Sequence, residues 1–331
     1  MLEKHQTSNI QHPTSNLKPQ TILVTGGAGF IGSHLVDRLV ELGFKVVVID
    51  NLSTGRKELV NKKASFYKVD ICSPKISKIF KKERPQTVFH LAAQVDIRKS
   101  LDNPDWDARI NIMGSLNVLK NFLHFLPVEI TDSKFIFFST GGAIYGEADV
   151  IPTPETSPER PIAPCVVAKL AVEKYLDYYR EVYQVPSISL RYSNVYGPRQ
   201  GISAEAGVIS VFFKKMLAGE QPTIIGDGTQ TRDFIYIDDA IDAAILALKK
   251  DKTGIFNIGT GVETSINSLF DKIKKLTRID VAKIYVPEKR GEVGRVALDY
   301  SKAKRELEFE PKYSLDEGLE KTLKWYLEKT K

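Results

Sequence analysis

Thr25-Gly26-Gly27-Ala28-Gly29-Phe30-Ile31-Gly32 decides the fold, because it lies between the apolar run Ile22-Leu23-Val24 and an amphipathic helical pattern that continues to about Gly43. The pattern predicts a strand, a glycine turn and a helix start. Glycine at 26, 29 and 32 gives the turn its backbone freedom, lets a pyrophosphate approach the main chain, and lets the helix pack closely on the strand. N–H groups at the new helix N-terminus, those of Phe30 and Ile31, then face the phosphates with the helix dipole behind them.

A second strand pattern, Lys45-Val46-Val47-Val48-Ile49, ends in Asp50. An acidic residue at about that spacing holds the adenosine ribose 2′-hydroxyl, and its charge repels a 2′-phosphate. NAD is therefore expected as the cofactor rather than NADP, with Arg56 working slightly against that preference.

The chain has 331 residues, enough for one large core or two moderate ones, and its 42% apolar and 27% charged content is that of a soluble globular protein. The net charge of +6 comes from scattered lysines, with no basic stripe interleaved with aromatics. Nucleic-acid binding is a poor reading, although a basic surface helps attract an anionic substrate. Cys72 and Cys165 are the only cysteines, which offers neither a disulfide framework nor a metal cluster and fits a reducing cytoplasm. Residues 1–19 are polar and lack an apolar signal-peptide core, so a disordered tail is expected there. No apolar run reaches membrane-spanning length.

Strand-like patterns at 65–69, 87–91, 134–138 and 187–190 alternate with helical ones at 73–83, 104–125 and 164–182. This predicts a doubly wound parallel α/β sheet of the Rossmann type over residues 20–192, with ligands at the strand C-termini. Over 193–331 the texture loosens into a smaller lobe, some of whose elements are expected to return to the main sheet.

Several ordered segments then carry a resemblance. They are the glycine turn; Asp50-Asn51-Leu52-Ser53-Thr54-Gly55; Asp70-Ile71; His90-Leu91-Ala92-Ala93-Gln94; Ser139-Thr140-Gly141-Gly142-Ala143-Ile144-Tyr145-Gly146; Arg191-Tyr192-Ser193-Asn194-Val195-Tyr196-Gly197-Pro198-Arg199; Arg232-Asp233-Phe234-Ile235-Tyr236-Ile237-Asp238-Asp239; and Gly291-Glu292-Val293. Over roughly Gln20 to Tyr326 the chain resembles the extended short-chain dehydrogenase/reductase family, in its nucleotide-sugar epimerase and dehydratase branch. The resemblance implies that Asn51, Ser53 and Gly55 join Asp50 around the cofactor, and that Asp70 and Ile71 meet the adenine. It places Leu91, Ala92, Ala93, Gln94 and Tyr192 along the rest of the cofactor, and Asn111 on the helix beside the active site. For the nucleotide-sugar, it implies Asn194 and Arg232 at the diphosphate, Thr223 and Ile225 framing the uracil, and Glu292 on the uridine ribose. Lys289 stands where the family has an arginine, with Arg290 beside it. The family also implies a homodimer paired through the helices near 103–125 and 163–182.

The family transfers hydride with a Ser/Thr, Tyr and Lys set, the last two one helical turn apart and so on one face. Here Lys169 is in place, but the tyrosine position is Cys165. A thiol is shorter than a phenol by about a ring's length, and proton transfer needs hydrogen-bond reach or a bridging water. Three accounts follow: the thiol or a water relays the proton, the chain is an inactivated form, or it is a binding protein that keeps NAD and the sugar without turnover. Thr140 is the first candidate for the hydroxyl on the reacting oxygen, and Ser139 the second. Family dehydratases carry an acid next in this loop, whereas Gly141, Gly142 and Ala143 offer none. The expected activity is NAD-dependent epimerisation at C4 of a UDP-hexose, plain or N-acetylated; a nucleotide-sugar reductase is a further alternative.

Overall fold

The computed structural model describes residues 20–126, 133–201, 207–288 and 293–329. Strands β1 (Thr21–Thr25), β2 (Lys45–Asp50), β3 (Ser65–Lys68), β4 (Thr87–His90), β5 (Lys134–Thr140) and β6 (Ser187–Tyr192) form the main sheet with a later strand. After β6 come the short strands β7 (Asn194–Tyr196), β8 (Thr223–Ile225), β9 (Thr231–Arg232) and β10 (Phe234–Tyr236). β11 (Gly254–Ile258) then rejoins the main sheet beside β6, and β12 (Thr264–Ser265) and β13 (Ile284–Val286) pair with β9 and β8.

The main sheet is parallel, with seven strands in the order β11-β6-β5-β4-β1-β2-β3. Every residue of β1 is buried, as befits a strand covered by helices on both faces. From β1 the chain winds outward to β3 and returns to β4 on β1's other side. This is the Rossmann order, and the crevice at the β1/β4 reversal is where such folds bind ligands.

The helix Phe30–Glu41 buries Leu35, Val36 and Leu39 against one face of the sheet. On the other face, Val118, Leu119 and Phe122 pack with Val172 and Leu176. The helix Pro164–Tyr183 opens with proline at its first position, where a missing N–H costs nothing. It is tied to β6 from within: Glu173 and Arg191, both 0% exposed, pair at 2.6 Å, and Arg191 also donates to the Tyr145 hydroxyl at 2.8 Å.

The helix expected over 104–125 is divided into Pro104–Ala108, a π-helical turn at Arg109–Gly114, and Ser115–Phe125. At the break the Ser115 hydroxyl donates to the Asn111 carbonyl at 2.6 Å, the acceptor that an α-helix reserves for the Ser115 N–H. A short helix that the sequence pattern does not announce, Ile97–Asp102, is capped by the Asp96 carboxylate. No helix among the described residues is long and apolar enough to cross a membrane.

Candidate active site

The glycine turn joins β1 to its helix through contacts that admit no side chain. Gly26 has φ +72°, donates its N–H to the Ile49 carbonyl at 2.8 Å, and would place a Cβ 2.8 Å from the Ala92 nitrogen. A Cβ on Gly32 would stand 2.1 Å from the Gly26 carbonyl oxygen. The helix begins with no side-chain cap at Gly29, so its first N–H groups have no helical acceptor, and Phe30 and Ile31 line the adjoining cavity. Such a helix end suits a pyrophosphate. Asp50, at the tip of β2, accepts from the Ala28 N–H at 3.0 Å with one oxygen and from the Leu52 N–H at 2.8 Å with the other. Each oxygen keeps a second lone pair for a ribose hydroxyl.

A cavity of about 950 Å³ runs from this turn across the strand ends to β7. Of the residues expected at the cofactor, Gly26, Gly29, Phe30, Ile31, Gly32, Asp50, Asn51, Ser53, Asp70, Ile71, Leu91, Ala92, Ala93, Gln94, Lys169 and Tyr192 line it. Gly55 and Asn111 are not among its lining residues. A Cβ on Gly55 would meet Ala28 and Asp50 at 3.0 Å, so Gly55 packs beneath the turn. Asn111 is buried, and its amide mimics a backbone: it accepts from the Gln94 N–H at 2.8 Å and donates to the Gln94 carbonyl at 2.9 Å.

Sequence reading passes over Asp107, which has no exposed surface. Its Oδ1 accepts from Gln94 Nε2 at 2.8 Å and from Asn111 Nδ2 at 3.0 Å, while its Oδ2 is buried with no hydrogen-bond partner among the described residues. The i, i+4 spacing to Asn111 is the only signal the sequence offers for it.

At the far end of β5, Ser139 and Thr140 both line the cavity, and the Ser139 and Ser193 hydroxyls are buried without protein partners among the described residues. Unsatisfied hydroxyls on a cavity wall are what a polar ligand would fill. Lys169 Nζ donates to the Phe138 carbonyl at 2.7 Å and sits 4.6 Å above the Phe137 ring. Burial pushes its ammonium down to about 8, opposed by Cys165, Glu173 and Asp107. Cys165 is not among the described residues that line the cavity. It is buried in a small cluster with Ile144, Tyr145, Ala163, Val166 and Leu298, and burial pushes its thiol up despite a hydrogen bond with Ser100.

The loop after β5 is closely packed at its two glycines. A Cβ on Gly141 would lie 2.3 Å from Leu298 Cδ1, and one on Gly142 would lie 2.4 Å from Val296 Cγ1. Val296 is itself buried.

On the other wall Asn194 lines the cavity, whereas Thr223, Ile225 and Arg232 are not among its lining residues. Thr223 and Ile225 lie on β8, in register with Ile284 and Val286 of β13, and Arg232 donates to the Thr231 carbonyl at 2.8 Å. Lys289, Arg290 and Glu292 lie outside the described residues.

The profile of the NAD dependent epimerase/dehydratase family matches residues 22–259. The chain belongs to that family. Its cofactor is NAD, and the open helix end and Asp50 fit that group. Three solved structures extend the likeness. A UDP-glucose 4-epimerase from Thermotoga maritima, solved with UDP-glucose, is 46% identical over 94% of this chain and 100% of that one, with a TM-score of 0.91. A Thermus thermophilus UDP-glucose 4-epimerase in complex with NAD is 36% identical over 93% and 99%, with a TM-score of 0.88. A UDP-N-acetylglucosamine 4-epimerase from Methanobrevibacter ruminantium, in complex with UDP-N-acetylmuramic acid, is 35% identical over 95% and 100%, with a TM-score of 0.87.

Proposed function

We propose that this family member epimerises a nucleotide-sugar at C4, with a UDP-hexose, plain or N-acetylated, as its substrate. The observation that carries the reading is the packing of Gly141 and Gly142 under Leu298 and Val296 beside the cavity hydroxyls of Ser139 and Thr140. The site can hold and orient a reacting oxygen, but Gly141, Gly142 and Ala143 supply no loop acid of the kind that an elimination across C5 and C6 requires. Oxidation, rotation of the keto sugar and re-reduction at C4 need no such acid. UDP-glucose and UDP-N-acetylglucosamine 4-epimerases among the similar structures support the same reading.

NAD supplies the hydride acceptor and donor. Gly26, Gly29 and Gly32 with Asp50 bind the cofactor, Asn51, Ser53 and Gly55 shape its ribose side, and Thr140, backed by Ser139, orients the C4 oxygen. In this reading Asn194, Arg232 and either Lys289 or Arg290 would bind the diphosphate, Thr223 and Ile225 the uracil, and Glu292 the uridine ribose. Tyr175, Tyr178, Val182 and Tyr183 are exposed along the helix Pro164–Tyr183, an apolar stripe that suits pairing with a second copy. A dimeric mass by light scattering is expected, and a monomer would remove that part.

The burial of Cys165, which is not among the described residues that line the cavity, favours one rival, a protein that binds NAD and the sugar without turnover. Chromatographic C4 conversion of UDP-glucose and UDP-N-acetylglucosamine, run with NAD on this chain and on Cys165→Tyr, separates the two. Product from either protein supports the epimerase. Micromolar binding of both ligands with no product from either protein supports the rival.

A further inference from the structure

We infer that Lys169 itself takes the proton of the sugar hydroxyl in this chain, in place of the side chain at position 165. The inference rests on the epimerase reading above. It starts from an asymmetry along one helix, where Lys169 reaches the cavity and Cys165, one turn earlier, is not among the lining residues. The thiol is held against Ser100 inside an apolar cluster, and burial disfavours its ionisation. The Lys169 Nζ is anchored by one hydrogen bond to the Phe138 carbonyl, a bond that the free amine makes as well as the ammonium does. Ser139 and Thr140, which orient the reacting oxygen, follow directly after that carbonyl.

The titratable groups around Nζ, of which Glu173 and Asp107 are the acids, favour a reversible exchange. Cys165 and Glu173 face it from its own helix, Asp107 from the helix Pro104–Ala108, and the neutral His90 from β4. Burial in this setting leaves part of the lysine as free amine near neutral pH. In the oxidation the hydroxyl O–H bond breaks and an N–H bond forms on Nζ as the C=O bond forms, and bound NAD would supply the acceptor for the C4 hydride. The reverse step returns both to the sugar. The carboxylate of Asp107, clamped to Gln94 and Asn111 by Oδ1, stabilises the ammonium while the keto sugar waits, which makes Asp107 a positioning residue for Lys169.

The test uses the NAD-loaded protein, with NAD binding as the folding control. Lys169→Arg keeps a cation but not a proton acceptor at neutral pH. It is expected to lose about a hundredfold or more of C4 conversion in this chain, and much less in a Cys165→Tyr background, where a phenol can take the proton. Asp107→Asn is expected to move the rising limb of the pH–rate profile, and the NMR titration of the Lys169 amine with it, to lower pH. Conversion by Lys169→Arg within tenfold of the parent would overturn the inference, as would an Asp107→Asn variant with neither titration moved. Conversion by Cys165→Tyr but not by the parent chain overturns this inference and leaves the epimerase reading standing. No conversion by either protein removes both.

Discussion

The lip of the cleft built on β1, β2 and β4 and the lip built from the segments after β6 are fixed by different means. On the first, main chain meets main chain: Gly26 against Ala92, Gly32 against the Gly26 carbonyl, and the Gly26 N–H on the Ile49 carbonyl, with the Asp50 carboxylate added where it accepts from the Ala28 N–H. On the second, a buried side chain adds to the backbone bonds. Asp233, with no exposed surface, accepts from the Thr260 N–H and hydroxyl, the Gly261 N–H and the Leu298 N–H, so that a single carboxylate ties together three segments distant in sequence. A lip set mainly by backbone contacts tolerates no side chain in its turn, and side chains such as Asp50 and His90 support it from behind. The other lip has the opposite vulnerability.

Gly32→Ala is the largest expected break. The new Cβ meets a backbone oxygen, which cannot swing aside as a flexible side chain would. The helix must shift off the strand, at a cost of about 1–3 kcal/mol or more, and NAD binding should be lost while isothermal titration still detects UDP. A Gly32→Ala protein with parental NAD affinity would show that the close approach is dispensable.

Acid should act next, through His90 behind the same lip. The Ser115 hydroxyl gives its hydrogen to the Asn111 carbonyl, so it accepts from His90 Nε2 at 2.7 Å, and the Thr25 hydroxyl donates to Nδ1 at 2.7 Å. The ring is neutral and held in one tautomer, with burial first and then Lys169 pushing its pKa from 6.5 down to about 3. Because the unfolded chain takes up this proton first, the stability is fully present above about 6.5 and is lost as pH falls towards 3. The slope is about 1.4 kcal/mol per pH unit across that window. Urea unfolding between pH 7 and 4.5 should fall more steeply for the parent than for His90→Gln, and parallel curves would count against it.

The two lips also differ in how far the sequence discloses them. Strand, glycines, helix and Asp50 fall within about thirty residues, and each glycine answers a local demand, so the pattern shows directly. The break in the helix at Arg109–Gly114 does not, because it depends on a hydroxyl, Ser115, choosing the Asn111 carbonyl while Asn111 pairs with Gln94. Asp107 is hidden for the same reason, since its partners are fixed only once β4 and that helix meet. On the second lip the motif Arg232-Asp233 suggests an ion pair on the page of the sequence. In the fold the aspartate instead collects N–H groups from the loop at Thr260 and from Leu298.

Asp233→Asn therefore sharpens the comparison on the second lip. One carboxylate oxygen becomes an NH₂ group facing N–H donors, with a cost of about 1–3 kcal/mol. UDP-sugar affinity should weaken and NAD affinity should hold. Equal loss of both would mean that the lips are not separately fixed.

Asp96→Ala probes the first lip with the smallest expected effect. The Asp96 carboxylate caps the helix Ile97–Asp102, accepting from the Arg98 N–H at 2.9 Å and the Lys99 N–H at 3.3 Å, and losing such a cap costs about 1 kcal/mol. That helix carries Ser100, the partner of the Cys165 thiol, so the loosened turn lies against the start of the helix Pro164–Tyr183. Yet the bonds that tie Asp96 to Gln94 use its main chain: the Gln94 side chain donates to the Asp96 carbonyl at 2.9 Å and accepts from the Asp96 N–H. Those bonds survive the substitution, and Gln94 keeps its place on the cavity wall. Thermal unfolding should begin slightly earlier while NAD affinity changes less than about twofold, the size of a few tenths of a kcal/mol. A collapse of NAD binding in Asp96→Ala would mean that a side-chain cap, and not backbone contact, holds this lip.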